Sequence, residues 1–334
     1  MKQSLFFLAA LLICTGINNA FAVRNAAHKQ TINKKTANNV MHCVAFSPYV
    51  GEINPNYGPQ PTPVLIDTLL DSLVKETRFR CIMTYGVLNG LDYTFKAAKA
   101  RKIKVIAVLW LDKDKEINSQ SISKGIEVAR TYPETIVKLS CGSEVRTRHG
   151  NVFDSEIVRC LDALREAGIK QPATTIDTWW EWCNRANPCQ KTGFEAKTDW
   201  IGINVFPWWE NKHAGVHTCT TAEQAADFHI ARMEEVSRTY PGKDVVLTEF
   251  GWPNGPEGGT EANTRTGQKC GVAGVKNQAF VINSTLKKLA VKGWSGNVFE
   301  AFSEKWKPED EGAFGSRWGI CQGEPPYRCN QAFK

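Results

Sequence analysis

No stretch beyond residue 22 approaches the ~20 consecutive apolar residues that a membrane-crossing helix needs. Nor does any run of lysine and arginine alternate with aromatic residues, the pattern that a nucleic-acid surface demands. A membrane span and a nucleic-acid partner are both excluded on those grounds, and the formal charge of +7 reads only as weak affinity for acidic surfaces. Histidine is scarce, with six residues at 28, 42, 149, 213, 217 and 229, and these form no set at strand ends. A metal-dependent hydrolase would need clustered His and Asp ligands, so no metal is expected. His213 and His217 have suggestive spacing but lie in a polar loop and read as solvated. The first predicted strand is not followed by a Gly-rich phosphate loop, which removes the usual purpose of a doubly wound nucleotide-binding sheet. No cofactor is expected.

What is present points to a large folded domain. Hydrophobic residues make up 42% and charged residues 22% of 334, which excludes disorder and a collagen-like repeat. With 11 Trp, 16 Phe and 7 Tyr the chain can fill a core and still use rings elsewhere, and eleven Trp exceed what packing usually requires. The N-terminus reads as an export signal: Lys2, an apolar run from Leu5 to Ile13, then Ala20-Phe21-Ala22 as a cleavage box. Residues 1–22 are therefore expected to be a secretory leader, and the product is expected outside the cell, in the periplasm or in the cell wall. Residues 23–40, rich in Asn, Ala and Lys, have no apolar periodicity and read as a flexible tail. Removing the leader deletes Cys14 and leaves an even set of cysteines from the original 11, which suits an oxidising compartment. Cys183/Cys189 and Cys321/Cys329 are close neighbours in polar stretches and read as disulfides, whereas Cys81 and Cys141 lie inside apolar runs and read as free thiols.

From residue 41 to 334, β-rich runs alternate with helical stretches, the pattern of βα units around a parallel sheet. Strands are expected at Cys43–Pro48, Phe79–Tyr85, Lys104–Trp110, Ile136–Glu144, Ala173–Trp179, Trp200–Phe206, Asp244–Phe250 and Asn297–Phe302. Helical periodicity covers Ile66–Lys75, Tyr93–Arg101, Ile122–Tyr132, Ser155–Ala167, Ala222–Tyr240 and Val275–Lys292. Eight units in this length match an α/β fold of the (β/α)8 TIM barrel type, in a single domain with no internal linker. In such a barrel the chemistry lies at the C-terminal ends of the strands. Glu144 closes the fourth expected strand and Glu249 the seventh, each after apolar residues that should be buried. A carboxyl so close to a core needs a partner or a purpose. Pairing with Arg146, Arg148 or a rim lysine is the bland alternative for either residue taken alone. Two such carboxyls amid aromatic loops favour a working pair, one protonated to donate to a leaving oxygen and one ionised to attack, as glycoside hydrolysis requires. Trp179, Trp180, Trp182, Trp208, Trp209, Trp252 and Trp306 follow strand ends and are read as platforms for sugar rings, while Trp110, Trp200 and Trp294 are read as caps of the barrel core. Asp177 is read as a polar group of the fifth strand facing the same mouth. The sequon at Asn283 falls in a helical stretch.

These motifs resemble those of glycoside hydrolase family 17, the retaining barrels active on β-1,3-glucan, from about residue 43 to 320. Gly142-Ser143-Glu144 is similar to that family's acid/base motif, and Thr248-Glu249-Phe250-Gly251-Trp252-Pro253 to its nucleophile motif. The block from Phe299 to Lys307, with Glu311-Gly312-Ala313-Phe314-Gly315 after it, resembles a segment whose charged residues surround the catalytic pocket; here they are Glu304, Lys307 and Glu311. Thr84-Tyr85-Gly86 resembles the segment whose tyrosine reaches the nucleophile. The block from Asn204 through Phe206 to Trp209 resembles the one that lines the cleft. Three departures stand out. Ser143 replaces the Asn of plant members, Met83 replaces an Arg two residues before the tyrosine, and the chain lacks the extra subdomain that follows the sixth strand in plant enzymes.

The resemblance implies Glu144 as acid/base and Glu249 as nucleophile, with Tyr85, Asp177, Asn204, Phe206, Trp209, Glu304, Lys307 and Glu311 around the sugar. It further implies a β-1,3-glucan polysaccharide or oligosaccharide as substrate, with water or a second sugar as acceptor, and a monomeric enzyme. A catalytically silent glucan-binding barrel is the rival reading.

Overall fold

The computed structural model describes residues 40–213 and 219–334. The expected leader, nearly all of the expected tail, and His217 lie outside the described residues. Strand β1 (His42–Ala45) opens a ring continued by β2 (Cys81–Met83), β3 (Lys104–Leu109), β4 (Ile136–Ser143), β5 (Ala173–Thr178), β6 (Trp200–Asn204) and β7 (Asp244–Phe250). A small antiparallel hairpin, β8 (Glu261–Ala262) with β9 (Lys269–Cys270), precedes β10 (Gly296–Val298). β10 pairs with both β7 and β1, so eight parallel strands close into a barrel in the order β1-β10-β7-β6-β5-β4-β3-β2. The expected (β/α)8 class is thus the observed one.

Six long helices form the outer layer: α1 (Pro63–Glu76), α2 (Tyr93–Ala100), α3 (Lys115–Thr131), α4 (Asp154–Glu166), α5 (Ala222–Thr239) and α6 (Val275–Lys292). They coincide with the six periodic stretches of the sequence. Their starts follow local chemistry. Thr62 accepts from the Leu65 amide ahead of Pro63, Asp114 accepts from Glu116 and Ile117, and Thr221 with Gln224 makes a capping box. Between β5 and β6 there are only short helical turns, Trp179–Trp182 and Glu195–Lys197, closed by the Cys183–Cys189 disulfide.

Strand alternation divides the core in two. Val44, Val105, Ala107, Leu109, Leu139, Cys141, Val245 and Leu247 face the helices, whereas Cys43, Ala45, Cys81, Met83, Ile106, Val108, Ile176, Trp200 and Val246 fill the barrel. Trp200 plugs the N-terminal end, with the Lys138 ammonium 4.6 Å from its ring and Lys138 paired to Asp244 at 2.6 Å. A third cluster, built on Trp208, Trp252, Phe314 and Trp318, lies among the loops that follow β6, β7 and β10.

The cysteine expectation needs correction. Cys183–Cys189 and Cys321–Cys329 are bonded as expected, but Cys81 and Cys141 are bonded as well, to Cys43 and Cys160. The register explains the first: Val44 pairs with Ile82, which sets Cys43 beside Cys81 on the same inner face, Cα atoms 4.4 Å apart. Cys141 faces outward and meets Cys160 on α4. An apolar run identifies a buried strand, but burial does not forbid a disulfide between two buried neighbours.

Candidate active site

Simple alternation would point Ser143 and Glu249 the wrong way. In β4, Leu139 and Cys141 face the helices, and Ser143 two residues on would do the same; in β7, Val245 and Leu247 imply the same for Glu249. Each strand carries a bulge that resets the alternation. Ser140 pairs with Thr174 but Ser143 with Ile176, so β4 takes one extra residue at this point. On β7, Ile203 pairs with Leu247 but Asn204 with Glu249, and on the other flank Gly296 pairs with Leu247 but Val298 with Phe250. After its bulge β7 returns Phe250 to the helix side and Glu249 to the barrel mouth. Gly142 makes the first bulge possible: its φ is +80°, and a Cβ there would lie 2.3 Å from a methyl of Val145. Glu144, directly after, is itself left-handed at φ 55°, ψ 33°, a conformation that a non-glycine residue adopts at a cost of ~1–3 kcal/mol.

The two carboxyls lie in two hydrogen-bonded sets joined through chain neighbours, Ser143 before Glu144 and Thr248 before Glu249. Glu249 Oε1 accepts from the Tyr85 hydroxyl at 2.9 Å and lies 3.5 Å from the Ser143 hydroxyl. Glu144 Oε1 accepts from Asn204 Nδ2 at 2.9 Å, and Asn204 Oδ1 accepts from the Thr248 hydroxyl at 2.8 Å. β4, β6 and β7 are thereby cross-linked through polar side chains at one end of the barrel. Neither glutamate forms an ion pair with arginine or lysine among the described residues. Arg146 pairs with Asp154 at 3.1 Å and Arg148 with Asp112 at 3.1 Å, so the bland pairing does not occur.

Burial raises the pKa of both carboxyls. For Glu144 the Asn204 hydrogen bond and the Arg148 charge oppose the rise. For Glu249 the rise is large, with the Glu144 charge as its second cause, and the Tyr85 hydrogen bond and the Lys307 charge oppose it. Two like charges in one dry site favour a single shared proton. The donors decide where it resides. Glu249 faces two hydroxyls and the field of an ammonium, which favour its anion against the Glu144 and Glu311 charges, whereas Glu144 has one amide donor and the field of the Arg148 guanidinium. A proton on Glu144 also removes the like charge that raises Glu249. Tyr85 stays protonated and remains a donor, because burial and the surrounding carboxylates hold its pKa well above the usual phenol value.

Lys307, Glu304 and Glu300 form a second charged cluster, each no more than 5% exposed. The Lys307 ammonium bonds Glu300, lies 2.9 Å from Glu304, and stands 4.3 Å from the Phe299 ring centre. Glu304 and Lys307 are held together in this cluster, the Lys307 charge reaches Glu249, and the half-buried Glu311 adds its charge to Lys307 and Glu249. Glu300 was not expected as a site residue. Its only signal was a charged residue inside the apolar Phe299–Phe302 run, where the chain leaves β10. Phe206 and Trp209 stand half-buried beside Trp318, at ring separations of 5.3 and 5.5 Å, and line one side.

The expected aromatic platform is smaller than the sequence suggests. Trp182, Trp208 and Trp252 are at most 1% exposed, and two of them donate their indole N–H to backbone, Trp182 to Gly202 and Trp252 to Val272. They are core. Trp179, Trp209 and Trp306 are half-buried and Trp180 is exposed. Trp200 is inside the barrel and Trp294 packs on the outer core, as expected, but Trp110 lies half-buried under the Arg148 guanidinium at 4.2 Å. Asp177 also departs from expectation: 1% exposed, it lies opposite in parity to the inward Ile176, and protein donors occupy its oxygens. Among the described residues, Cys183, Cys189 and Glu235 are grouped like metal ligands, but both sulfurs are in a disulfide.

The chain is 23% identical over 261 residues to the "Probable family 17 glucosidase SCW4" of Saccharomyces cerevisiae, covering 75% of this chain and 60% of that protein. It is 31% identical over 185 residues to the "Probable glucan endo-1,3-beta-glucosidase eglC" of Aspergillus fumigatus, covering 50% and 40%. The chain thus spans about three fifths of the length of its yeast relatives. Its fold is like that of a glycoside hydrolase family 17 beta-1,3-glucanosyltransferase from Rhizomucor miehei, with a TM-score of 0.64 at 16% identity over 89% of this chain and 98% of that one. Residues 43–319 match the family model of the BtgE/BtgC glycoside hydrolase domain. In agreement with the family 17 resemblance of its strand-end motifs, the chain belongs to this glycoside hydrolase family.

Proposed function

We propose that the protein is a retaining glycosidase that acts on β-1,3-glucan through a covalent glycosyl-enzyme, with water or a second sugar as the final acceptor. One observation carries the reading: two electrostatically coupled carboxyls share the barrel mouth in unequal settings, Glu249 among donors that favour its anion and Glu144 on a single amide. Glu144 protonates the leaving glycosidic oxygen while Glu249 attacks the anomeric carbon to form the ester. Glu144 then takes the proton of the acceptor as the ester is broken. Tyr85 and Lys307 support the Glu249 charge, Asn204 orients Glu144, and Phe206 and Trp209 flank the sugar, with Glu304 and Glu311 as acceptors toward its hydroxyls. The similarity to SCW4, a probable family 17 glucosidase, and to eglC, a probable glucan endo-1,3-beta-glucosidase, supports this substrate class.

In the same reading residues 1–22 direct export, 23–40 form a tail, and 41–334 act as one catalytic barrel. One copy suffices, since a single barrel holds both carboxyls. Five disulfides among the described residues suit an extracellular or cell-wall setting, as does the relation to the "Cell surface mannoprotein MP65" of Candida albicans. The test is turnover of laminari-oligosaccharides by the full chain and by its Glu249→Gln and Glu144→Gln variants. Glu249→Gln should abolish turnover, and a 2-fluoro-glucoside should label Glu249. Glu144→Gln should lose activity on glucan far more than on activated aryl glucosides. Binding without turnover by the unaltered chain would replace this reading with a silent glucan-binding barrel. Products longer than the starting sugar would identify transfer.

A further inference from the structure

The backbone at Glu144 raises a problem that the acid/base alone does not solve. Glu144 occupies the N-cap position of the short helical turn Val145–His149, where a side chain normally accepts from the exposed amides of the first turn. Its carboxyl makes no such bond. It is turned to the mouth instead, held by Asn204, on a left-handed residue behind the Gly142 bulge. The amide of Arg146, second in that turn, donates to Asp177 Oδ2 at 2.8 Å. The Thr147 hydroxyl donates to Asp177 Oδ1 at 2.6 Å, and the Thr178 amide donates to the same oxygen at 2.9 Å.

We infer that Asp177 is the positioning residue of the acid/base: from β5 it supplies the cap that Glu144 cannot supply, and so holds the left-handed Glu144 backbone that aims the carboxyl at the mouth. Three donors converge on two oxygens, and two of them are backbone amides that cannot reverse. An ionised carboxylate satisfies all three, whereas an asparagine must set its NH2 against either Arg146 or Thr178. Of the charged groups that face Asp177, the Arg148 guanidinium, which acts on both Asp177 and Glu144, favours its anion, as do its three donors. Burial is the largest cause raising Asp177, to about 7, and the neighbouring Glu144 charge adds to it. Asp177 is buried and protein donors occupy both of its oxygens, so its effect passes through Glu144.

The inference rests on the acid/base role of Glu144, and the test separates the two. Asp177→Asn in the full chain is assayed on laminari-oligosaccharide and on a dinitrophenyl glucoside whose leaving group needs no proton, with the rate of Glu249 labelling by a dinitrophenyl 2-fluoro-glucoside as a third readout. The expected result is a loss of kcat/KM on the order of a hundredfold on the oligosaccharide, as for a catalytic group displaced by about an ångström. Labelling should stay within roughly threefold of the unaltered chain, because Glu249 is untouched. Azide, which bypasses the base, should restore turnover of the activated glucoside. Equal losses in all three readouts would overturn the inference, because they would mark general loss of folded protein. Unchanged oligosaccharide turnover would overturn it as well. If the unaltered chain turns over no glucan at all, the proposed function itself fails, independently of Asp177.

Discussion

Replacing Tyr85 by phenylalanine removes one interaction and little else. The ring packs edge-on against Phe299, centroids 6.5 Å apart at 84°, and a phenylalanine keeps that contact. What disappears is the 2.9 Å hydrogen bond onto Glu249 Oε1. A bond to a charged group contributes about 1.5–3 kcal/mol, which corresponds to roughly a tenfold to hundredfold change in an equilibrium or rate. The Tyr85 bond lowers the pKa of Glu249 against burial and the Glu144 charge, so its loss moves that pKa further up. The nucleophile must be ionised, and the acid limb of kcat/KM therefore moves to higher pH. Below that limb the variant should lose roughly 10- to 100-fold relative to the parent. The gap should shrink as pH rises, because both enzymes then carry an ionised Glu249. The assay is initial rate against pH on an activated aryl glucoside, where proton donation by Glu144 is not limiting. A loss equal at every pH, or an acid limb that stays in place, would refute the electrostatic role of Tyr85.

Gly142→Ala should cost about 2–5 kcal/mol of stability, from the left-handed φ and from a Cβ 2.3 Å from the Val145 methyl; a denaturant midpoint within error of the parent would show that the bulge tolerates a side chain. Glu249→Gln should melt at a higher temperature than the parent at pH 7. Because the folded chain binds the Glu249 proton more tightly than the unfolded chain, stability is lost as pH rises through the unfolded value of about 4.3 toward the raised folded one. The advantage of the variant should therefore grow from pH 4 to pH 7, and calorimetry at the two pH values checks it; a Tm at or below that of the parent at pH 7 would sink the claim.

The six long helices and the eight parallel strands were legible because each signal is local: an amphipathic period, a capping residue, an apolar run bounded by turns. The ends were less so. The last strand was expected over Asn297–Phe302, but only Gly296–Val298 pair in the ladder, and Phe299, Glu300 and Ala301 donate to Phe250, Trp318 and Ala45 as the chain leaves the barrel. The glutamates were legible as charges after apolar runs. Asp177 gave the same local signal and does different work, since a charge at a strand end reads alike whether it faces the mouth or a helix amide.

By itself the sequence determined the barrel class and the strand that carries each carboxyl, because spacing along the chain is enough to place residues on elements; the tyrosine beside them was implied by the family 17 resemblance. Tertiary structure alone decided which way they face. Bulges in β4 and β7 insert one residue into a two-residue alternation, and only the pairing with β5, β6 and β10 reveals them. Three tryptophans vanished into the core and two cysteines found partners for the same reason. Burial and contact depend on neighbours remote in sequence, and a one-residue shift in register exchanges the inside of a strand for its outside.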